Sequence, residues 1–358
     1  MNLLIIRLSS MGDVIHTLPA LRALRATFPG ATIGWVVEDG HASLLSGLSE
    51  IDRLYLLPRK KARGPWGERL RVIRDLKGRL REVRWDLAID FQGLWKSWLV
   101  ARWSGAKRIA GCSPSPERTH WLYTDPIRLP SMDRHAVDRN LDLLAALGCA
   151  TRAAESRSDF PRDFRLPITP HDRAAALDLL AELGLLDVSP KVLLNFSARK
   201  AANRWGADRF AALAEGFREK GVTPVLTGGP DDRLEEQEIQ SHLGDPVPSL
   251  VGRCSLLELA AIMDGFDAIV TGDTGPMHVA VSVGLPVVAV FGPANPVRTG
   301  PYSPQARVIQ KPRDCQPCYR RECKFNSTPA LCLQEIEVET VLAEVMELLG
   351  ANCAKNLR

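Results

Sequence analysis

DAIVTGDTGPMHVAVSVGLPVVAVFG, residues 267–292, decides how the whole chain is read. Ala268 to Val270 is an apolar run of strand type, Met277 to Val283 an alanine- and valine-rich helical segment, and Val287 to Phe291 a second buried strand. Gly284 reads as the helix stop, and Pro286 opens the next strand. The result is a complete β-turn-α-turn-β unit. Its first turn carries the information. Asp273 and Thr274 can cap the helix, Gly275 lets a ligand approach the backbone, and Pro276 suits a first helical turn, where no N–H is needed. A helix N-terminus presented in this way gathers free N–H groups and the positive dipole end on one point, which suits a phosphate. A well-capped structural turn uses the same residues, so the motif needs company before it means function.

Outward from this unit, 358 residues are enough for two domains. The 25% charged and 45% hydrophobic residues are those of a soluble globular protein. Leu3 to Ile6, before Arg7, is too short an apolar run for a signal peptide, and no later run reaches the ~18 residues of a membrane span. A cytoplasmic chain with reduced cysteines is therefore expected. The net charge of +4 hides its distribution: from Arg59 to Arg84 there are eleven Lys/Arg against three Asp/Glu, a local +8, and the remainder is net acidic. The basic character belongs to one segment, and nucleic acid is not among the expected partners.

From the N-terminus, Asn2 to Leu8 has a buried-strand pattern and runs into Ser9-Ser10-Met11-Gly12-Asp13. Leu18, Leu21 and Leu24 space like the inner face of a helix, with Pro19 either in its first turn or at a kink, and Ile33 to Val37 is the next strand. This β-loop-α-β opening begins a doubly wound sheet, and its single Gly12 in place of G-x-G-x-x-G argues against a nicotinamide-binding loop. Asp13 follows the first strand, as a helix N-cap or as a general base at the ligand-binding edge. Leu54 to Leu57 is a strand, and Leu70, Ile73, Leu76 and Leu80 then mark the inner face of an amphipathic helix. Leu87 to Ile89 leads into Asp90-Phe91-Gln92-Gly93-Leu94-Trp95-Lys96-Ser97, another β-to-α turn. Trp66, Trp95, Trp98 and Trp103 lie in or just after the basic region, a combination that suits phosphate-bearing amphiphiles or sugars where the rings are not core. Ser113 to Pro116 reads as a loop and His135 to Leu147 as a helix. The polar stretch 151–170, with three prolines, is the linker candidate, dividing the chain into domains at 1–165 and 166–358.

A second α/β series follows: helix Arg173 to Leu183, strand Val192 to Phe196, helix Phe210 to Phe217, strand Pro224 to Thr227, and helix Leu256 to Met263 before the 267–292 unit. Two successive α/β halves imply two facing Rossmann-like domains with a cleft between them. Three β-edge loops of the second half, 197–205, 228–232 and 273–278, supply Ser197, Arg199, Lys200 and Arg204, the backbone of Gly228, and a helix N-terminus. That set suits a nucleotide diphosphate.

Ser9-Ser10-Met11-Gly12-Asp13-Val14-Ile15-His16-Thr17-Leu18-Pro19, Asp90-Phe91-Gln92-Gly93-Leu94 and Asp273-Thr274-Gly275-Pro276-Met277-His278 together resemble glycosyltransferase family 9, and within it the heptosyltransferases that build the lipopolysaccharide inner core. The resemblance covers nearly the whole chain. It implies a GT-B fold, an ADP-heptose donor, a Kdo-lipid A acceptor, peripheral association with the anionic inner membrane from the cytoplasmic side, inversion at the anomeric carbon and no catalytic metal. It implies that Asp13 is the base that deprotonates the acceptor hydroxyl. Asp273 then binds donor sugar hydroxyls, with Thr274 and Gly275 on the diphosphate and His278 closing that motif. Asp232 takes the ribose position, where Glu is commoner, and Cys254 falls near adenine. Arg59, Lys60, Lys61 and Arg63 match the acceptor-binding basic loop, with Ser10, Gly12 and Gln92 on the same side. One departure stands out: Asn203 occupies a position where a lysine is usual, so phosphate neutralisation passes to Lys200, Arg199 or Arg204. Alternatives within the resemblance are a different heptose acceptor, protein included, or a non-catalytic nucleotide-sugar or lipopolysaccharide binder. A nucleotide-sugar epimerase is the rival reaction type.

Cys315, Cys318, Cys323 and Cys332 form a separate cluster. The spacing admits four thiolates on one structural zinc or iron, although the last two are not a second CxxC. Some protein-modifying heptosyltransferases carry a four-cysteine iron site, which the resemblance lends to this reading. Free thiols in a loop are the alternative.

Overall fold

The computed structural model describes residues 1–151 and 164–356, with side chains up to 351. It divides into two compact units, whose described parts are 1–151 with 164–167, and 168 onward. Of the expected linker, residues 152–163 lie outside the described residues.

The first unit is a six-stranded parallel sheet in the order β3-β2-β1-β4-β5-β6. Its strands are β1 Asn2–Ile6, β2 Thr32–Glu38, β3 Arg53–Leu57, β4 Leu87–Asp90, β5 Arg108–Ser113 and β6 Asp125–Arg128. Its helices are α1 Met11–Ile15, α2 Leu18–Thr27, α3 Arg59–Ala62, α4 Trp66–Leu80, α5 Trp95–Trp103 and α6 Ala136–Ala146. The central strands are apolar on both faces, as parallel strands covered by helices must be, and Leu3 through Ile6 are wholly buried. Pro19 sits in the first turn of α2, so there is no kink. Two expectations change. In α4 the buried face is Val72, Leu76 and Leu80. Leu70 is instead 47% exposed, because it shares a face with Trp66, one turn earlier and also exposed. Ser113 ends a strand rather than opening a loop.

The second unit is a five-stranded parallel sheet in the order β11-β10-β9-β7-β8. Its strands are β7 Lys191–Asn195, β8 Thr223–Thr227, β9 Ala268–Gly272, β10 Val287–Phe291 and β11 Ala306–Gln310. The helices are α7 Pro170–Glu182, α8 Ala207–Glu219, α9 Arg233–Ser241, α10 Leu256–Met263, α11 Gly275–Val283, α12 Pro296–Thr299, α13 Leu331–Gln334 and α14 Val338–Asn356. The opening stretch folds as β9-α11-β10, and Gly284 ends α11 in the left-handed conformation at φ 79°. A core built on Phe210, Phe217, Val270 and Val288 holds the sheet against α8 and α14. Trp205 joins it, donating Nε1 to the carbonyl of Ile336 at 3.2 Å. Among the described residues no helix is long and apolar enough to cross a membrane.

These strand orders locate the ligand edges. An open parallel sheet leaves a crevice outside the carboxyl ends of the two strands where the winding direction reverses. In the first unit those strands are β1 and β4, and in the second β7 and β9.

Candidate functional site

At the switch point of the first sheet, the loop after β1 holds Ser10, Gly12 and Asp13. Asp13 is not the N-cap of α1, as one sequence reading had it: Ser10 holds that place and Asp13 is the third helical residue of a capping box. Its Oδ2 accepts from the Ser10 amide at 3.0 Å and the Ser10 hydroxyl at 2.8 Å. Its Oδ1 pairs with Arg7 Nη2 at 2.8 Å. The Asp13 side chain keeps 34% of its surface open to solvent, whereas Arg7 is buried. Arg7 is also anchored through Nη1 to the Phe91 carbonyl. The carboxylate is therefore held in one orientation by a fixed guanidinium and a fixed turn, yet it remains accessible. Gly12 is buried within α1.

The loop after β4 meets this turn. Gln92 Oε1 accepts from the Leu8 amide at 3.0 Å, so the side chain ties the two edge loops together. Beneath it Asp90 is fully buried and accepts from the amides of Gln92 and Gly93, the Ser97 hydroxyl and the Tyr123 hydroxyl. Burial raises its pKa against the pull of those bonds. Gly93 has φ +73°, and a Cβ there would stand 3.0 Å from Pro116, so this turn requires glycine.

Lys96, Glu38 and Arg59 complete this edge. Lys96 Nζ lies 3.1 Å from Ser9 Oγ and 2.9 Å from Glu38 Oε1, and Arg59 Nε lies 3.6 Å from Glu38 Oε2. Arg59, Lys60, Lys61 and Arg63 follow β3 around the short helix α3, and of these Lys60, Lys61 and Arg63 are exposed. Sequence reasoning missed Arg7, Glu38 and Lys96. The signal for Arg7 was visible as a lone cation interrupting an apolar strand run.

At the switch point of the second sheet, the loop after β7 and the turn after β9 are joined by Asn203. Its Nδ2 donates to the Asp273 carbonyl at 3.0 Å, and its buried Oδ1 has no hydrogen-bond partner among the described residues. Asn203 is thus an uncharged tie. Asn195 Nδ2 reaches Thr271 Oγ1 at 2.8 Å and Thr274 Oγ1 at 3.0 Å, which pins the turn from below. Thr274 is the N-cap of α11 by position, but its side chain caps no helix amide. The Thr274 side chain therefore leaves the first turn of α11, at Gly275 and Met277, uncapped by it. His278 lies one turn into α11 and is buried.

The cations of the 197–205 loop divide. Arg204 Nε donates to the Ala198 carbonyl at 3.2 Å, and its Nη1 lies 3.5 Å from Glu235. Burial raises the pKa of Glu235, opposed by Arg204. Arg199 is exposed and Lys200 half-buried, and neither has a carboxylate partner among the described residues. Ser197 is half-buried beside them. Asp232 Oδ2 accepts from the Gly229 amide at 2.6 Å and crowds Gly228, where a Cβ would meet it at 3.1 Å. The amide of Gly252 donates to the Gly228 carbonyl, which carries the 249–254 segment to this edge. There Cys254 is pushed up to about 11, by burial first and Glu258 second.

Cys315, Cys318, Cys323 and Cys332 are free thiols lining one small cavity. Among the described residues no group of three or more His, Cys, Asp or Glu side chains is placed to hold a metal ion, so the expected ligand set is gathered but not assembled. Burial opposes ionisation of Cys323, but the amides of Leu331, Phe325 and Ser327 outweigh it and draw its pKa down.

The profile described as glycosyltransferase family 9 (heptosyltransferase) matches residues 73–328. Lipopolysaccharide heptosyltransferase 1 of Pseudomonas aeruginosa is 29% identical over 337 residues, covering 92% of this chain and 89% of that protein. The protein of that name from Escherichia coli K12 is 27% identical over 319 residues, covering 88% and 95%. The crystal structure of a family 9 glycosyltransferase from Veillonella parvula superposes with a TM-score of 0.82 at 26% identity, covering 97% of each chain.

Proposed function

This chain belongs to glycosyltransferase family 9, and on that premise we propose that it transfers heptose from ADP-heptose to a Kdo-lipid A acceptor of the lipopolysaccharide inner core. Its similarity to proteins named lipopolysaccharide heptosyltransferase 1, over most of their length, supports that choice of donor and acceptor. The observation that carries the reading is the second switch point. There the turn bearing Asp273 opens α11 at an N-terminus that the Thr274 side chain leaves uncapped, and Asn203 ties that turn to the loop carrying Arg199 and Lys200, two cations without carboxylate partners among the described residues.

On this reading residues 1–165 bind the acceptor and 166–358 bind the donor. Asp273 takes hydroxyls of the donor sugar, while the amides of α11 near Thr274 and Gly275 take the diphosphate, with His278 behind them. Lys200 and Arg199 supply the charge that a lysine at 203 would give, and Arg204 keeps their loop in place. Ser197 and Gly228 line the phosphate edge, Asp232 takes the ribose, and Cys254, a neutral thiol, borders the base. On the acceptor side Ser10, Gly12 and the Nε2 of Gln92 shape the pocket, and Arg59, Lys60, Lys61 and Arg63 meet phosphate or Kdo carboxylate.

The step is a displacement with inversion. The acceptor oxygen forms a bond to the anomeric carbon as the bond to the ADP oxygen breaks. The hydroxyl proton passes to Asp13, and the bonding pair leaves with ADP. Charge growing on that oxygen meets helix amides and the two cations. No cofactor is required. The protein works at the cytoplasmic face of the inner membrane, held peripherally.

ADP release is the test. ADP should appear from ADP-heptose only when Kdo-lipid A is present. Donor turnover without acceptor would favour an epimerase, and tight donor binding without any ADP would favour a binding module.

The four cysteines are read as a structural zinc or iron site. Four thiols on one cavity fit such an ion chemically. With four thiolates there is no open position, so the metal would only hold the 315–332 loop. Protein purified anaerobically should contain about one zinc or iron per chain. Metal-free protein with four titratable thiols would reject the site.

A further inference from the structure

Six large apolar side chains of the first unit that stand out of the core cluster on three neighbouring pieces. On α4 they are Trp66, 69% exposed, and Leu70; on α5, Trp95 and Leu99; on the turn Thr119–Leu122, Trp121, 80% exposed, and Leu122. The pieces are contiguous, since α5 packs against both α4 and this turn. Trp98 Nε1 also donates to the Leu122 carbonyl at 3.3 Å, and Trp95 meets Trp98 edge to face at 5.6 Å. Trp66 with Leu70, and Trp95 with Leu99, are each one helical turn apart, so each helix offers a short apolar ridge. Among these ridges lie exposed Arg71, Arg74 and Arg102, which have no carboxylate partner among the described residues, and Arg69, whose guanidinium stands 5.7 Å over the Trp66 ring.

A soluble surface scatters its exposed apolar groups, and three exposed tryptophans with unpaired arginines are not scattered. Indole has an apolar body and one polar N–H, which places it at the boundary between headgroups and acyl chains. Arginine can lay its stem on the same boundary while its guanidinium meets lipid phosphate. A protein partner of matching charge would have to be acidic and apolar together; an anionic bilayer is both by composition.

We propose that the face formed by α4, α5 and the 119–122 turn seats the first unit on an anionic lipid bilayer, with Trp66, Trp95 and Trp121 entering the interface and Arg69, Arg71, Arg74 and Arg102 on the headgroups. This deepens the peripheral membrane contact of the proposed function. Its test uses vesicles without donor or acceptor, so failure to transfer heptose and failure to bind lipid are separate results.

The full chain is sedimented with vesicles containing phosphatidylglycerol and with vesicles of phosphatidylcholine alone. Binding should be confined to the anionic vesicles, weaken with salt and be accompanied by a blue shift of tryptophan emission. Trp66→Ser combined with Trp121→Ser should weaken binding by on the order of 10-fold. Arg71→Gln with Arg74→Gln should weaken it about 5-fold per residue and flatten the salt dependence. Thermal melting and turnover on a soluble, delipidated acceptor should match the parent protein. If the melt of the tryptophan pair falls, Trp121→Ser alone replaces it. The proposal is overturned if the parent chain stays in the supernatant, if the tryptophan variants bind as well as the parent, or if they dissolve a dimer while lipid binding is unchanged, which would give this face to a second copy.

Discussion

Replacing Asp13 with asparagine should lower turnover by about 10²- to 10⁴-fold while ADP-heptose affinity stays at the parent value. The amide keeps the size of the side chain and an oxygen for the Ser10 amide, so the α1 turn survives. It cannot take a proton from an attacking hydroxyl. It also leaves Arg7, a buried cation, without its carboxylate, although Arg7 retains the Phe91 carbonyl. A stability loss could therefore imitate a catalytic one. Two readouts separate them: the thermal melt, and donor affinity by calorimetry, which on the proposed assignment depends on the other unit. If Asp13→Asn retains near-parent turnover, Asp13 is only the capping-box residue that its contacts already make it. If turnover and donor affinity collapse together with the melt, its role is structural.

Changing Arg59, Lys60, Lys61 and Arg63 together to alanine should raise the acceptor KM by roughly 30- to 100-fold at low salt, with ADP-heptose affinity unchanged. Three of the four are exposed and sit after β3, at the same carboxyl edge as Asp13, and Arg59 is steered by Glu38. Exposed cations each contribute little against a single charge, but an acceptor with several phosphates and carboxylates can use all four. The effect should shrink as salt rises, and kcat should change less than KM. If these four changes weakened donor binding and spared the acceptor, donor and acceptor would have been assigned to the wrong units.

Much of this was legible in the sequence because the information was local. The β9-α11-β10 unit could be read from apolar runs, one glycine and one proline, as could the β1-turn-helix opening, since strand, cap and stop signals act over a few residues. What the sequence hid was pairing across the sheet. Arg7 reaches Asp13 and Phe91, Gln92 reaches Leu8, and Lys96 joins Ser9 to Glu38, contacts that exist only after β1 and β4 lie side by side. Asn203 teaches the same lesson. Beside the resemblance it read as a missing cation, whereas in the fold it is a buried amide that ties two loops. Leu70 was misread because period alone cannot say which of two apolar faces turns inward. The four cysteines remain the hardest case, since spacing brought the thiols to one cavity without fixing their geometry.

The central claim is transfer of heptose to a lipid-borne acceptor. The most direct measurement is mass spectrometry of Kdo-lipid A after incubation with the protein and ADP-heptose. The account predicts an acceptor heavier by one heptose residue, with one ADP formed per heptose added, and no such product from the Asp13→Asn protein on the same timescale. An acceptor of unchanged mass, with the donor intact or converted without it, would contradict the account.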